Sequence, residues 1–320
     1  MPPRSRLDRF VLGLLAVPTL LIAGAQVGRV PMLFDVLAVL QLHAAVVAGL
    51  LAFAALAMRR RRLSLAAAAI AAAGVALTPA AWTSASRPAA QGPTTALTLV
   101  SANLYHANER LDPLRAALLA LDADIMATQE TPLALLKPED PLAAAYPHRR
   151  HWVSATQGGM AIWSRLPLID TAPGDREGTH PQHLFASLAL PKGGRLQIAV
   201  LHMGWSNLLA QDWTLADFNR FWRAIHPPTV VAGDFNAAPS SAALRRVTDI
   251  TRTQVLGGWR PTWVGGADNV PVRLPWWAGL PVDHVAVSDG IGAEWARTAE
   301  LPGSDHRAVV VRLHVPDVAP

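Results

Sequence analysis

Three long apolar stretches fill the first 82 residues, and they divide the chain in two before any motif is read. Residues 10–27 are interrupted only by Pro18, Thr19, Gln26 and small side chains; residues 33–58 carry one acid, Asp35, near their start; residues 63–82 are alanine-rich, with Pro79 near the end. Each approaches the roughly 20 residues that cross a bilayer, the third least firmly because alanine is only marginally apolar. About three transmembrane helices are expected, at about 10–28, 33–58 and 63–82, making 1–83 a membrane region.

The arginines give a direction. Arg4, Arg6 and Arg9 precede the first stretch, and Arg59, Arg60, Arg61 and Arg62 separate the second from the third. Positive clusters stay on the cytoplasmic side. The N-terminus is therefore expected in the cytoplasm, the link at 28–31 outside, and everything after Trp82 outside a cytoplasmic membrane that the chain crosses several times. A cleaved signal peptide is the alternative for the first stretch, with Ala23-Gly24-Ala25 as its small-residue site. The C-terminal part stays outside in either case.

The whole chain carries a formal charge of +5, but residues 1–82 hold eight arginines and two aspartates, so the remainder is close to neutral at −1. A groove that tracks nucleic acid usually needs a basic face, and composition gives no strong nucleic-acid signal. There is no cysteine, which excludes disulfides and thiolate metal sites.

Residues 84–95 read as a short flexible linker. From residue 96 to 316, apolar runs alternate with helical patterns. Strands are expected at 97–103, 124–128, 160–164, 184–190, 196–202, 229–232, 282–287 and 308–314, and helices at 111–121, 208–225 and 240–247. This alternation implies one α/β domain of two packed sheets flanked by helices. Several strands end on a polar side chain: Asn103, Glu130, His202, Asp234 and Asp283. Groups at strand ends are exposed on a rigid scaffold.

Gly233-Asp234-Phe235-Asn236 follows an apolar strand, and Ser304-Asp305-His306 precedes another. Oxygen ligands with histidine and no thiol suit a hard cation and phosphate chemistry. Ser101-Ala102-Asn103, Thr128-Gln129-Glu130, Ser164-Arg165, Leu201-His202 and Val282-Asp283-His284 complete the series in chain order. Over residues 96–315 the chain thereby resembles the endonuclease/exonuclease/phosphatase superfamily, the DNase I-like group, in a membrane-anchored bacterial type.

The resemblance implies a two-sheet α/β sandwich, a Mg²⁺ (or Mn²⁺) cofactor and hydrolysis of a phosphate ester. Glu130 matches the principal metal ligand, Asn103 the residue that helps place the metal and its carboxylates, and Asp305 a further metal-site carboxylate. Asp234 matches the group that orients or deprotonates the attacking water, and Asn236 the donor to a non-bridging phosphate oxygen. His306 matches the essential histidine with Asp283 orienting its ring, and His202 a histidine near the phosphate or leaving group. His106, His180, His183 and His284 have no assigned role.

The substrate is not fixed by these motifs. Trp276 and Trp277 lie in a loop before the Asp283 strand, and tryptophan is favourable at a bilayer interface. With the neutral domain and the outside location, they favour a lipid-linked phosphoester or pyrophosphate, with the lipid bilayer as partner. An anchored extracellular Mg²⁺-dependent nuclease and a non-catalytic anchored binding protein are the alternatives. Core-covering tryptophans are the plain reading of the pair.

Overall fold

The computed structural model describes residues 6–27, 32–78, 84–154, 157–170, 183–204, 227–267 and 270–317. Helix α1 (Arg6–Val27) comes first, followed by a 3₁₀ segment (Met32–Leu40) that runs directly into α2 (Gln41–Ala57), and then by α3 (Arg61–Ala76). Two stretches, Arg6–Gln26 and Asp35–Ala57, are long and apolar enough to cross a membrane. The third expected span is a shorter helix than its sequence implied. At 16 residues α3 is about 24 Å long, against the roughly 30 Å of a bilayer core, and 79–83 lie outside the described residues.

The second stretch also departs from expectation. Its first part is a 3₁₀ segment, and only α2 is regular α-helix. The bundle is cross-linked by amides: Gln26 Nε2 donates to Gln41 Oε1 (3.2 Å), and Gln41 Nε2 donates to the Gly74 carbonyl (3.3 Å). Outward, the helices present large apolar side chains to their surroundings, among them Phe10, Leu20, Leu50, Phe53 and Leu65.

The remainder forms twelve strands in chain order: β1 (Thr94–Asn103), β2 (Ile125–Thr131), β3 (His148–Ser154), β4 (Gly158–Ser164), β5 (Leu168–Asp170), β6 (His183–Ala189), β7 (Arg195–His202), β8 (Thr229–Asp234), β9 (Thr253–Val255), β10 (Asp283–Ser288), β11 (Gly292–Glu300) and β12 (Arg307–Pro316). They pair into two six-stranded sheets, β11-β12-β1-β2-β4-β3 and β5-β6-β7-β8-β10-β9. Helix α4 (Leu111–Ala120), the short α5 (Pro141–Ala145) and α6 (Ala242–Thr251), with 3₁₀ turns at Leu133–Leu136 and Trp276–Ala278, complete the described elements of this part. The expected helix at 208–225 lies outside the described residues.

Side chains two apart on each central strand meet between the sheets. Leu97 and Leu99 of β1, Ile198 and Val200 of β7, Val230 and Ala232 of β8, and Val309 and Val311 of β12 share one core. The alternate positions point outward onto helices: Val100 and Ala102 pack with Leu114 and Leu118 of α4, and Val231 and Ala286 with Leu244 and Val247 of α6. Strands buried on both faces read as continuous apolar runs, which is why the central ones stand out in the sequence.

Of the expected flexible linker, 84–95, the last two residues already belong to β1, and the part before them is hydrogen-bonded to the domain. Arg87 and Ala293 exchange both backbone bonds at 2.9 Å, and Ala90 N–H donates to the Gly290 carbonyl. The segment runs along the start of β11, where the unpaired edge of that strand offers free backbone groups.

Candidate active site

Strand register brings the polar strand ends together. In the second sheet β7 pairs with β8 so that His202 faces Asp234, and β8 pairs with β10 so that Asp234 faces Asp283. In the first sheet Asn103 of β1 faces Gln129, one residue before Glu130. His306 stands immediately before β12, the other neighbour of β1. Both sheets thus deliver their polar ends to one edge of the sandwich.

Local backbone geometry aims two of these side chains. The pairing of β2 with β4 slips between Thr128 and Thr131, and within this bulge Glu130 has φ 45°. A bulge turns a side chain out of its regular alternation, here towards the site. Gly158 makes room for it: its φ is 68°, and a β-carbon there would lie 2.8 Å from the Thr131 carbonyl and 2.9 Å from His106 Cβ. Asn236, at φ 46°, sits in a turn closed by its own N–H donating to Asp234 Oδ1 (2.9 Å). Gly233 before it has φ 152°, and a side chain there would collide with the Leu201 carbonyl of the neighbouring strand.

Asn103 is the centre of one half of the site. Its Nδ2 donates to Glu130 Oε1 (3.0 Å) and to Asp234 Oδ2 (3.1 Å), cross-linking carboxylates from the two sheets, while its Oδ1 accepts from Tyr105 N–H (3.0 Å). Glu130 also receives His106 Nδ1 at 2.8 Å and lies 3.6 Å from His202 Nε2. Burial alone would raise the Glu130 carboxyl, but the charge of His202 and the hydrogen bonds from Asn103 and His106 outweigh it and hold the group below its ordinary range. His202 is held low by burial, with Glu130 pulling the other way.

The other half is a buried acid–imidazole array. His306 Nδ1 lies 2.8 Å from Asp283 Oδ2, and its Nε2 faces Asp234 Oδ2 at 3.8 Å. Thr262 Oγ1 accepts from the Asp283 N–H (3.0 Å) and so fixes the start of β10. Burial opposes a charged imidazole, yet the Asp283 and Asp234 carboxylates push His306 up to about 10. Asp234 is pushed up to about 8, by burial first and then by the facing Asp283 charge. Asp305 is raised by burial; it accepts from the Trp263 indole N–H at 3.1 Å, and both Glu130 and His306 act on it electrostatically.

The donor set fits a hard divalent cation. Asp283 Oδ1 and Asn236 Oδ1 are buried without a hydrogen-bond partner among the described residues, and the charge on buried Asp234 is opposed by burial and by the facing Asp283. Oxygen donors in that condition are what Mg²⁺-type ions take up. Asp234, Asp283 and His306 form the tightest group, one donor atom of each lying within 4.8 Å of the others. The 2.8 Å contact between His306 Nδ1 and Asp283 is, however, a hydrogen bond that uses the ring nitrogen and one carboxylate oxygen. The unpartnered oxygens are thus Asp283 Oδ1 and Asn236 Oδ1, whereas Glu130 already accepts through both of its oxygens, Oε1 from Asn103 and Oε2 from His106, and would exchange these donors for a cation.

Eight of the ten residues singled out in the sequence lie in this region: Asn103, Glu130, His202, Asp234, Asn236, Asp283, Asp305 and His306. Asn236 Nδ2 donates to the Met203 carbonyl (2.6 Å), which occupies one of the two N–H bonds available for an anion. Trp276 and Trp277 stand apart on a short 3₁₀ turn (Trp276–Ala278), and at 57% and 64% exposure they do not cover a core. Two residues went unread. His106 follows Asn103 by three positions, in the loop that β1 runs into, and that proximity is its only signal. Trp263 touches Asp305 across 42 residues of chain, which no local pattern reveals. His284 is buried on the opposite face, bonded to the Ala237 carbonyl (2.8 Å) and tilted against the Phe235 ring.

The scaffold and the grouped acids, amides and imidazoles define a hydrolase acting on phosphate ester bonds. The chain belongs to the Endonuclease/Exonuclease/phosphatase family, whose sequence model matches residues 100–306. Members of that family generally use a divalent metal. An endonuclease/exonuclease/phosphatase from Bacteroides vulgatus is similar in structure, at 18% identity and a TM-score of 0.53, over 69% of this chain and 100% of that one. A 3′ phosphatase from Neisseria bound to product DNA hairpin is similar at 17% identity and a TM-score of 0.50, over 67% of this chain and 98% of that one. The endonuclease domain of TRAS1, a telomere-specific non-LTR retrotransposon, gives 15%, 0.50, 68% and 98% respectively. At these identities the likeness is one of fold. No curated protein matches the sequence.

Proposed function

We propose that this protein is a membrane-anchored phosphoesterase, dependent on Mg²⁺ or Mn²⁺, that hydrolyses a lipid-linked phosphate ester or pyrophosphate at the outer face of the cytoplasmic membrane. The observation that carries the chemistry is the Asn103 amide joining Glu130 of one sheet to Asp234 of the other at 3.0 and 3.1 Å. Glu130 and Asp305 would hold the cation, with Asn103 fixing Glu130 against Asp234. When bound, it would neutralise charge developing on the phosphoryl oxygens. Asp234 orients the attacking water and accepts its proton, as a base within hydrogen-bond reach can. Asn236 keeps one amide N–H for a phosphoryl oxygen. Asp283 holds the His306 ring, whose Nε2 side faces the reacting centre; His202 stands beside Glu130 towards the leaving group.

The membrane reading rests on the helices and on one contact. Phe10, Leu20, Leu50 and Phe53 are large, apolar and exposed, a pattern suited to lipid and unsuited to water. Helix α3 starts within the arginine cluster, at Arg61, and packs along α2; we count it as a third, short crossing that carries the catalytic domain outside. His43, in the first turn of α2, lies 3.2 Å through its Nε2 from the Ala278 carbonyl. The exposed Trp276–Trp277 pair therefore sits level with the outer end of a membrane helix, where indole rings are favoured. The neutral charge of the domain turns the reading away from nucleic acid.

Two experiments test this. The full-length protein in detergent, supplied with Mg²⁺ or Mn²⁺, is offered vesicle-borne phospholipid, polyprenyl pyrophosphate, plasmid DNA and a soluble phosphodiester. Turnover of a lipid substrate that stops in EDTA is expected, and Trp276→Ala with Trp277→Ala should lower the vesicle rate several-fold while sparing the soluble one. Turnover of DNA alone would replace the lipid reading by the anchored nuclease; equal loss on both substrates would remove the tryptophans from the interface. Because the chain has no native cysteine, Ser84→Cys provides a single thiol for topology. Labelling of intact cells by a membrane-impermeant maleimide is expected, and protection until lysis would put the domain in the cytoplasm.

A further inference from the structure

The second apolar stretch begins with an acid that is 3% exposed. Asp35 Oδ1 accepts from Ala242 N–H (2.7 Å) and Oδ2 from Ala243 N–H (2.9 Å), so a carboxylate from the N-terminal region caps α6 of the catalytic domain, 207 residues away in sequence. The free amides and the dipole at a helix start both favour a carboxylate there. The loop that α6 terminates is residues 235–241, which carries Asn236.

A second line of contacts runs parallel to it. Ala38 and Val39 of the same 3₁₀ segment are buried in a cluster with Ala238 and Val282, and Trp263 and Leu280 pack against that cluster. Trp263 is the residue whose indole N–H bonds Asp305 (3.1 Å), and its backbone bridges to His306. Val282 precedes Asp283 directly. One side of the docked segment thus leads to Asn236 and the other to Asp305, Asp283 and His306.

We propose that the segment Met32–Leu40 is a positioning element of the active site, with Asp35 as its key residue, so that full turnover requires the N-terminal helices to be seated on the catalytic domain. The proposal rests on the catalytic reading of Asn236 and Asp305 given above. In it the start of the second apolar stretch is a strut at the membrane surface, and the crossing is left to α2. A catalytic domain hung on a slack tether would need no buried carboxylate from the anchor; this one uses both oxygens of Asp35 on its own helix.

The test uses the full chain in detergent with a soluble chromogenic phosphodiester at saturating Mg²⁺, which makes the rate independent of membrane access. Asp35→Asn and Asp35→Ala are expected to lower kcat of the folded fraction about 10- to 100-fold, the range for a small misplacement of catalytic groups, with KM little changed and Asp35→Glu restoring part of the loss. The control is Asp140→Ala. Asp140 is also a buried cap, accepting from Leu142 N–H (2.9 Å) and from Arg115, but on the outer helical layer. It should reduce thermal stability and leave kcat of the folded fraction unchanged.

Trp263→Phe, which keeps the ring and removes the N–H, should raise the Mg²⁺ concentration giving half-maximal rate. Amide hydrogen exchange adds a readout that needs no turnover: residues 236–243 should exchange faster in Asp35→Asn than in the parent. Unchanged kcat in both Asp35 variants, or an equal fall in Asp140→Ala, would overturn the proposal. Should the parent turn over none of the phosphoesters offered, the catalytic reading fails by itself. Exchange then decides the strut alone: unaltered rates at 236–243 overturn it, and faster rates uphold it.

Discussion

Glu130→Gln is expected to lower kcat about a thousandfold, on the order of 4 kcal/mol of transition-state stabilisation, while leaving the protein folded. The substitution is nearly isosteric, so the bulge of β2 and the close approach of Gly158 survive it. What changes is charge and donor pattern. Glu130 accepts from Asn103 (3.0 Å) and His106 (2.8 Å), and His202 stands 3.6 Å away. A carboxamide can accept through only one of its two termini. One of those three neighbours then faces an NH₂ group, and the site loses the charge that most suits a hard cation. The carboxyl is held below its ordinary range by these donors in spite of burial. It is therefore ionised across the neutral range, and the loss in the variant should be independent of pH from about 6 to 8. Circular dichroism and thermal melting should match the parent, and the Mg²⁺ dependence should shift to higher concentration. A parent-like rate in Glu130→Gln would take this residue out of the site.

The legible part of this chain was its buried centre. All eight expected strands form, because strands covered on both faces are apolar runs whatever their neighbours. The four unread strands, β3, β5, β9 and β11, are the four edges of the two sheets. Edge strands are short or charged: β3 reads His-Arg-Arg-His-Trp-Val-Ser, and β11 alternates Ala with Glu, Arg and Thr. Their pairing comes from the neighbouring strand and leaves little mark in their own sequence. The grouping of polar residues is legible to the same degree: those at the ends of central strands stand out as strand plus terminal polar group. His106, Trp263 and Asp35 reach that group through contacts set by tertiary structure. Asp35 in particular reads as a lone acid at the start of a membrane span until the amides of Ala242 and Ala243 are seen beside it.

His306→Ala should reduce kcat by about 10²- to 10⁴-fold, the range for losing a positioned acid–base group. Two carboxylates determine its state. Asp283 at 2.8 Å on Nδ1 and Asp234 at 3.8 Å from Nε2 together push the imidazole up to about 10 against the opposing effect of burial. The ring is thus an imidazolium over the neutral range with its Nε2 facing Asp234, and on the proposed reading its Nε2–H meets the phosphoryl charge. Removing it leaves Asp234 and Asp283 facing each other across the β8–β10 pair without a proton donor between them. Asp283→Asn removes the largest favourable influence on the imidazolium, so burial prevails and the histidine pKa falls. The sign follows directly: the charged form is lost at lower pH, and the basic limb of the kcat profile should move down into the neutral range in Asp283→Asn. It should be absent from that range in the parent. Because the two residues act as one unit, His306→Ala combined with Asp283→Asn should cost little more than His306→Ala alone. Losses that add in full, or an Asp283→Asn profile identical to that of the parent, would mean that the pair is a structural bond and that His306 does not meet the substrate.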